Sequence, residues 1–492
     1  MTVRIIRPLI YSLLTAQLAG CVVGPDYVRP EAPAQKEFKE SKGWKQAEPR
    51  DTALSGKWWE IFNDPKLNEL EQQVAAANQS IIQAEAQYRQ AQHLVQSAES
   101  AFFPVANLTG TTNRFRAASG QSVAVSGVRN LFGVAGSIAW EPDIWGSVSR
   151  QVEANTGNAQ ASAATLQALR LSSQAALADD YFQLKTLDAQ KALLDETAAA
   201  YSRTLQIIKN RYAAGMVAKS DVMQAETQLE SARAQSINLG VQRAKLEHAI
   251  AVLIGKTPAE LSLAPAPLDM QPPAIPASLP SELLERRPDI AAAERKIAAA
   301  NAQIGVAKAA YYPSLNLSVT NGFQTSTLDT LLKSASRYWA LGPASTALTV
   351  FDGGAKNAQY KQTIDSFDAS VAAYRQTVLT GFQEVEDNLA ALRIMDEEKQ
   401  VQDKAVDAAN RALALTINQY KAGTVSYVNV LTAQTAALSN QQSAVQLRGS
   451  RMSASVQLVK ALGGGWNVAM LPGEDQAGGE TKWTDYLILP VD

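Results

Sequence analysis

The chain has 492 residues, a formal net charge of −2 and two histidines, His93 and His248. A charge this close to neutral argues against binding to nucleic acid, which needs a basic surface. Each histidine lies in a stretch rich in alanine and glutamine with no second ligand near it in sequence, which argues against a metal site. The sequence also lacks a glycine-rich phosphate loop, a GxSxG sequence and a Cys/His pair, so it predicts neither an enzyme nor a cofactor.

The first residues have the pattern of an export signal. Two arginines precede a short apolar run, which leads to the sequence Leu18-Ala19-Gly20-Cys21. We therefore interpret residues 1–20 as a lipoprotein signal peptide and Cys21 as the lipidated residue; the alternative is a stray cysteine behind an ordinary signal peptide. An aspartate directly after the lipidated cysteine would favour retention at the inner membrane. This position is Val22, so we expect sorting to the outer membrane. Because Cys21 is the only cysteine, the chain forms no internal disulfide.

Two halves of the chain repeat each other at a separation of about 208 residues. The matching pairs are Ala101-Phe102-Phe103-Pro104 with Ala310-Tyr311-Tyr312-Pro313, Arg211-Tyr212-Ala213-Ala214-Gly215 with Gln419-Tyr420-Lys421-Ala422-Gly423, and Leu253-Ile254-Gly255 with Ala461-Leu462-Gly463. This separation is far longer than the repeat of a solenoid protein. It indicates the duplication of a whole structural half.

Each half is predicted to contain the same elements in the same order. A first helix is followed by two strands, one very long helix, a glycine turn and a shorter returning helix, because apolar residues alternate in the strands and the long helices lack proline. Gly215 and Gly423 end the long helices at positions that suit a left-handed cap. In the first half, residues 64–256, the first helix covers about 65–102, the strands about 104–116 and 130–142, and the long helix about 147–212. In the second half, residues 281–463, the first helix covers about 281–311 and the strands about 313–323 and 339–351.

Three further segments lie outside the repeat. Residues 21–63 and the tail 464–492 are predicted to be extended, and residues 257–280 form a proline-rich linker between the halves. The sequence Arg286-Arg287-Pro288-Asp289 is interpreted as the start of a helix, with the proline in the first turn and the aspartate complementing the helix dipole.

The strands indicate a shared membrane barrel. After the signal peptide no apolar run is long enough for a transmembrane helix. Four strands cannot close a barrel, and open sheet edges in lipid are prohibitive. Three copies would supply twelve strands, so we expect a homotrimer around a water-filled lumen. Helix periodicity alone fits an ordinary coiled coil equally well.

Several motifs in this order resemble those of TolC-like outer-membrane efflux channels, in the lipoprotein branch that serves resistance-nodulation-division pumps. They are Gly24-Pro25-Asp26-Tyr27, Trp58-Trp59, Arg286-Arg287-Pro288-Asp289-Ile290, Tyr312-Pro313 and the two Tyr–Gly turns. The resemblance implies a mainly α protein whose trimer shares a twelve-stranded barrel on a periplasmic helical tunnel. It also implies an anchor in outer-membrane lipid and two partners, a periplasmic adaptor and an inner-membrane pump.

The resemblance assigns roles to seven residues. The expected tip and adaptor contacts are Tyr212, Gly215, Tyr420 and Gly423, and the expected aperture residues are Asp221, Asn429 and Thr432. The family often carries an acidic ring at the aperture, whereas Asn429 and Thr432 are neutral. We therefore expect constriction by hydrogen bonds or apolar residues.

The leading hypothesis from the sequence is a passive exit duct for drugs or other small toxic compounds. Alternatives are an exit duct for protein secretion and a coiled-coil envelope scaffold or adhesin without a pore. Conductance in planar bilayers separates a channel from a scaffold. A lipoprotein enzyme fits least, because no catalytic constellation is present.

Overall fold

A computed structural model describes residues 22–33, 37–40, 56–116, 128–273, 275 and 283–480. The predicted signal peptide and Cys21 lie outside the described residues. Most of the described chain is helical, and its strands form one five-stranded sheet. None of the helices in this part of the chain combines the length and the apolar content needed to cross a bilayer.

The first half contains four helices and two strands. They are α1 Pro65–Ala77, α2 Gln79–Glu99, β1 Val105–Arg116, β2 Val128–Trp140, α3 Ser147–Ala213 and α4 Lys219–Leu253. The prediction of a single helix over 65–102 is wrong, because Asn78 adopts an extended backbone between α1 and α2. The Asn78 side chain accepts hydrogen bonds from Ser80 N at 3.0 Å and Ile81 N at 3.1 Å. It thus caps α2 as a separate helix.

The second half repeats this order. Its elements, after a single helical turn at Leu283–Arg286, are α5 Pro288–Ala309, β3 Ser314–Thr325, β4 Arg337–Leu341, β5 Ser345–Ala347, α6 Ala355–Lys421 and α7 Tyr427–Ala461. The predicted strand 339–351 is wrong in its second part, because β4 and β5 are separate and residues 348–351 are not extended in the sheet. Gly342 has a positive φ of 112°, and Pro343 has no N–H to donate to a neighbouring strand.

The single sheet joins the two halves. Its order is β1-β2-β3-β4, all antiparallel, and β5 also pairs with β3. Strand β2 of the first half pairs with β3 of the second, with Ile138 opposite Val319. Apolar side chains of the sheet, including Leu108 and Leu341, are exposed. The chain itself therefore leaves this surface uncovered.

Each long helix is flanked by the two shorter helices of its half. Both α3 and α6 have 67 residues, or about 100 Å at 1.5 Å per residue. Helices α2 and α4 both pack along α3, and α5 and α7 both pack along α6. The two halves meet where α3 packs against α5 and α7. The predicted duplication of helix, strands, long helix and returning helix is confirmed.

The shorter helices meet at the same contact in both halves. In the first, Asn78 Nδ2 donates to the carbonyl oxygen of Leu253, at the end of α4, at 2.8 Å. In the second, Arg287 Nη1 donates to the carbonyl oxygen of Ala461, at the end of α7, at 3.1 Å. Arg287 also pairs with Asp289 and Glu384. As predicted, Pro288 and Asp289 lie in the first turn of α5. The prediction of one continuous helix over 281–311 is wrong, because Arg287 adopts an extended backbone between the turn Leu283–Arg286 and α5.

A glycine completes each contact. Gly255 and Gly463 follow the returning helices with positive φ values of 72° and 91°. A Cβ at Gly255 would lie 2.2 Å from the carbonyl oxygen of Ala77, and one at Gly463 would lie 1.9 Å from that of Arg286. Only glycine therefore permits this close approach of the two backbones.

Two extended segments cross the helices. The N-terminal strap, the described part of residues 22–40, begins with Val23 N donating to Trp145 O at 3.1 Å. It ends with Glu40 paired with Arg393 of α6 at 2.6 Å. The linker after α4 crosses the other long helix, where Ala266 N donates to Asp188 of α3 at 2.9 Å.

We expect Gly463→Ala to lower the melting temperature of the purified protein. The positive φ and the overlap with the Arg286 carbonyl together cost roughly 2 kcal/mol or more. The matched control is Gly240→Ala, because Gly240 lies within α4 and its Cβ position is open. That control gains up to about 1 kcal/mol of helix propensity. Equal melting temperatures for the two variants would contradict the proposed close approach.

Candidate functional site: the two helix turns

The candidate site is the pair of turns that end the long helices. At the first turn, Gly215 has a φ of 74°, and Met216 N donates to Arg211 O at 2.9 Å. At the second, Gly423 has a φ of 79°, and Thr424 N donates to Gln419 O at 3.0 Å. Both turns are Schellman motifs, so the left-handed caps predicted from the sequence are confirmed. No atom lies within 4 Å of either Cβ position, so both glycines face open space.

An apolar cluster behind the turns packs the hairpin of α3 and α4 against the hairpin of α6 and α7. This tip cluster includes Tyr201, Ile208, Val222, Tyr420, Tyr427 and Val430, which come from both hairpins. The rings of Tyr420 and Tyr427 are 5.8 Å apart. Burial, together with the neighbours Tyr201, Tyr420 and Asp221, raises the pKa of Tyr427 to about 12. Tyr427 is therefore neutral at physiological pH.

The two turns are not equivalent, although their sequences match. Tyr212 is 45% exposed, whereas its counterpart Tyr420 is 5% exposed. Of the four predicted contact residues, Tyr212, Gly215 and Gly423 are thus at the surface and Tyr420 is beneath it. The structure therefore separates residues that the repeat treats alike.

Arg211 ties the first turn to the second. Its guanidinium lies 4.8 Å from the centre of the Tyr420 ring. It donates to the carbonyl oxygens of Tyr420 at 2.8 Å and Lys421 at 2.6 Å, at the C-terminal end of α6 where a cation is favoured. Arg211 is not among the residues predicted from the sequence to form the tip contact. The available signal was its departure from the repeat, where Gln419 takes its place.

The predicted aperture residues lie next to the tip. Asn429 and Thr432 are exposed and stand three residues apart on α7, so they share one face of that helix. Thr432 donates its hydroxyl proton to Val428 O at 3.0 Å. Asp221 is half-buried in the first turn of α4 and lies near Tyr427. The tip thus combines two neutral polar side chains with one carboxylate. Within the described ranges no group of His, Cys, Asp and Glu is placed to hold a metal ion.

Comparison with known proteins defines the class, which is the outer-membrane channels of efflux pumps. The family described as "Outer membrane efflux protein" matches residues 70–256 and again residues 279–464, one match for each half. The chain belongs to this family. The two matches coincide with the duplication seen in the fold.

Similar proteins cover nearly the whole chain. The toluene efflux pump outer membrane protein TtgF of Pseudomonas putida is 32% identical over 472 residues, which cover 93% of this chain and 97% of the relative. The antibiotic efflux pump outer membrane protein ArpC of Pseudomonas putida is also 32% identical, over 94% of this chain and 96% of the relative. The solved structure of the outer-membrane channel OprN superposes with a TM-score of 0.85 at 29% identity and covers 91% of this chain and 100% of that one.

These findings confirm the resemblance to TolC-like channels and the predicted function. The protein is the outer-membrane duct of a tripartite efflux pump, and its family is one of channels. The trimeric barrel on a helical tunnel is the architecture that fits this family.

We expect Arg211→Met to loosen the tip. Loss of hydrogen bonds from a charged donor costs about 1.5–3 kcal/mol when the acceptors stay unpaired. Reconstituted channels should then show a higher single-channel conductance, and trypsin should cleave faster after Lys421. Arg233→Met is the control, because Arg233 pairs with Glu230 on its own exposed helix face. If conductance and cleavage match those of the control, Arg211 does not hold the turns together.

Proposed function

We propose that three copies of this chain close one twelve-stranded barrel and one helical tunnel, which carry small toxic compounds passively to the exterior. The observation that carries this proposal is the open sheet. Strands β4 and β5 pair with successive parts of β3, so they occupy one position and each chain contributes four strand positions. Strand β1 on one side and β4 with β5 on the other each have an unpaired edge within the described chain, and the apolar side chains of the sheet are exposed. Such edges are too costly in lipid, and pairing β1 of one copy with β4 of the next removes them.

The cargo class that we propose follows from the names of the relatives. The names of two relatives specify toluene and antibiotics. We therefore propose small organic toxins as cargo, delivered by an inner-membrane resistance-nodulation-division pump, which supplies the energy. Ion conductance of the reconstituted protein in planar bilayers tests the duct itself. A protein that inserts but never conducts would favour the scaffold alternative.

We also propose that Cys21 anchors the chain in outer-membrane lipid. The strap supports this position, because Val22 packs against Gly146 at the start of α3, a few residues after β2 ends. A lipid on the preceding residue would therefore lie at the level where the sheet meets the helices.

Cys21→Ala should abolish incorporation of radioactive palmitate without preventing folding. The barrel holds the membrane once it is inserted, so the loss should fall on targeting and assembly yield; each buried acyl CH₂ contributes about 0.8 kcal/mol to membrane affinity. Labelling of the variant equal to that of the wild type would remove the lipoprotein assignment.

We further propose that the tip turns contact the periplasmic adaptor. Tyr212, Gly215 and Gly423 are exposed there, and Tyr420 supports the turn from below. The exposed glycines leave room for the helices of a partner to approach the backbone closely.

Gly423→Trp should reduce drug resistance in a strain that depends on this protein. The indole adds bulk at the adaptor contact, and the positive φ costs a non-glycine residue about 1–2 kcal/mol. Trimer assembly should persist, because the sheet and the tunnel wall are remote. Gly240→Trp, an exposed change far along α4, is the control. Normal resistance together with normal adaptor cross-linking would place the docking surface elsewhere.

Asn429→Asp should make the pore more cation-selective and more sensitive to block by divalent ions. If Asn429 lines the aperture, three carboxylates would face one axis and attract cations. High salt should weaken both effects, since the Debye length falls from about 10 Å at 0.1 M to about 3 Å at 1 M. Asn418→Asp, before the turn on α6, is the control. Unchanged reversal potentials for Asn429→Asp would move the aperture away from Asn429, most simply to Thr432 or Asp221.

A further inference from the structure

A polar groove runs between the helices at the middle of their length. One part, with a volume of about 640 Å³, lies between α3, α4, α6 and α7. A second part of about 450 Å³ continues it towards the sheet and shares Gln446 and Ser450 with the first. We call the two parts together the amide groove.

The groove is rich in carboxamides. Five of them line the larger part, namely Gln190, Gln235, Asn238, Gln442 and Gln446. Gln190 Nε2 donates to Gln446 Oε1 at 2.7 Å, which leaves an acceptor on one amide and a donor on the other. Glu398 is the charged side chain of this larger part, and Leu194 and Leu447 form a buried apolar floor. The groove thus offers an apolar surface surrounded by mainly neutral donors and acceptors.

The N-terminal strap contacts the face of α6 that lies opposite to the amide groove. It contacts Arg375 through Glu31 O, Glu386 through Lys39 N and Arg393 through Glu40. These three residues fall on one side of the helix at 3.6 residues per turn. Met395 and Glu398, which line the groove, lie about half a turn around from them.

The linker likewise contacts α3 and α7 on the faces that lie away from the groove. Asp188 of α3 accepts from the linker, and Arg448 of α7 donates to Leu268 O of the linker at 3.2 Å. The groove residues Gln190, Gln446 and Ser450 each stand two residues from one of these contacts. Two residues turn a helix by about 200°, so the groove lies on the face away from the linker.

Strap and linker therefore cover one face of the helical wall, and the amide groove lies on the other. The strap begins where we place the lipid anchor, which must stand outside a closed tube. The face that the strap covers is then the outer one, and the groove faces the lumen.

We propose that the amide groove is a binding site on the lumenal wall for uncharged amphipathic compounds. This inference rests on the proposed duct function. An apolar ring or chain would lie on Leu194 and Leu447, while polar groups of the cargo exchange hydrogen bonds with the surrounding amides. Binding is weak and brief, because water competes for the same neutral groups. Such a site slows neutral cargo without trapping it.

The test uses wild-type channels in planar bilayers with chloramphenicol, a neutral aromatic amide, as the probe. We expect brief, reversible interruptions of the current. The double variant Gln190→Leu/Gln446→Leu keeps the apolar floor and removes the paired amides. The dwell time of each interruption should fall roughly fivefold, the factor that corresponds to about 1 kcal/mol for one lost hydrogen bond. Interruptions by toluene, which needs no hydrogen bond, should not shorten.

Gln271→Leu is the matched control, because Gln271 lies in the linker beside Arg451, on the outer face. A second pair of variants tests the orientation independently: Gln446→Lys should shift the reversal potential towards anions, and Gln271→Lys should not. Conducting channels whose chloramphenicol dwell times are unchanged in the double variant would overturn the binding site. An unshifted reversal potential for Gln446→Lys would place the groove outside the tube and overturn the inference as well. Absence of any wild-type current would instead overturn the duct function on which it rests.

Discussion

The structure depends on one backbone contact that occurs twice. In each half the end of the returning helix meets the break that precedes the helix leading to the strands, and a glycine allows the two backbones to approach closely. The contact holds two short helices end to end beside one long helix, so that a wall about 100 Å long forms without a thick core. Asn78 performs in the first half what Arg287 performs in the second, with an amide in place of a guanidinium. The geometry is duplicated even where the chemistry has changed.

The sequence predicted the duplication, the long helices and the positive φ at Gly215 and Gly423, because these depend on local periodicity and on glycine. It missed the break at Asn78, where the polar, alanine-rich sequence continues on both sides and Asn78 separates two helices by capping α2 and by donating to Leu253 O. It also extended a strand through Gly342 and Pro343, where the alternation was already weak. The different exposure of Tyr212 and Tyr420 could not be predicted from the sequence, because Tyr420 packs in a cluster with residues of the other half and lies beneath Arg211.

Departures from the repeat coincide with the places where the two halves face different surroundings. Arg211 has Gln419 as its counterpart, and Tyr427, which packs against Tyr420, has Lys219 as its counterpart; Tyr420 is buried at the tip whereas Tyr212 is exposed. The same division applies to the two faces of the helical wall: charged residues hold the strap and the linker on one face, whereas mainly neutral amides line the groove on the other. The duplicated scaffold of helices thus presents different chemistry at the tip, on its outer face and on its inner face.

The central claim is that three open sheets and their helices close around one axis with the strap and linker outside. Single-particle cryo-electron microscopy of the full-length protein, extracted from outer membranes, tests it most directly. The account predicts three protomers, one closed barrel continuous with one helical tunnel, and Gln446 facing the lumen. A monomer, or a closed assembly with the linker on its inner wall, would contradict it.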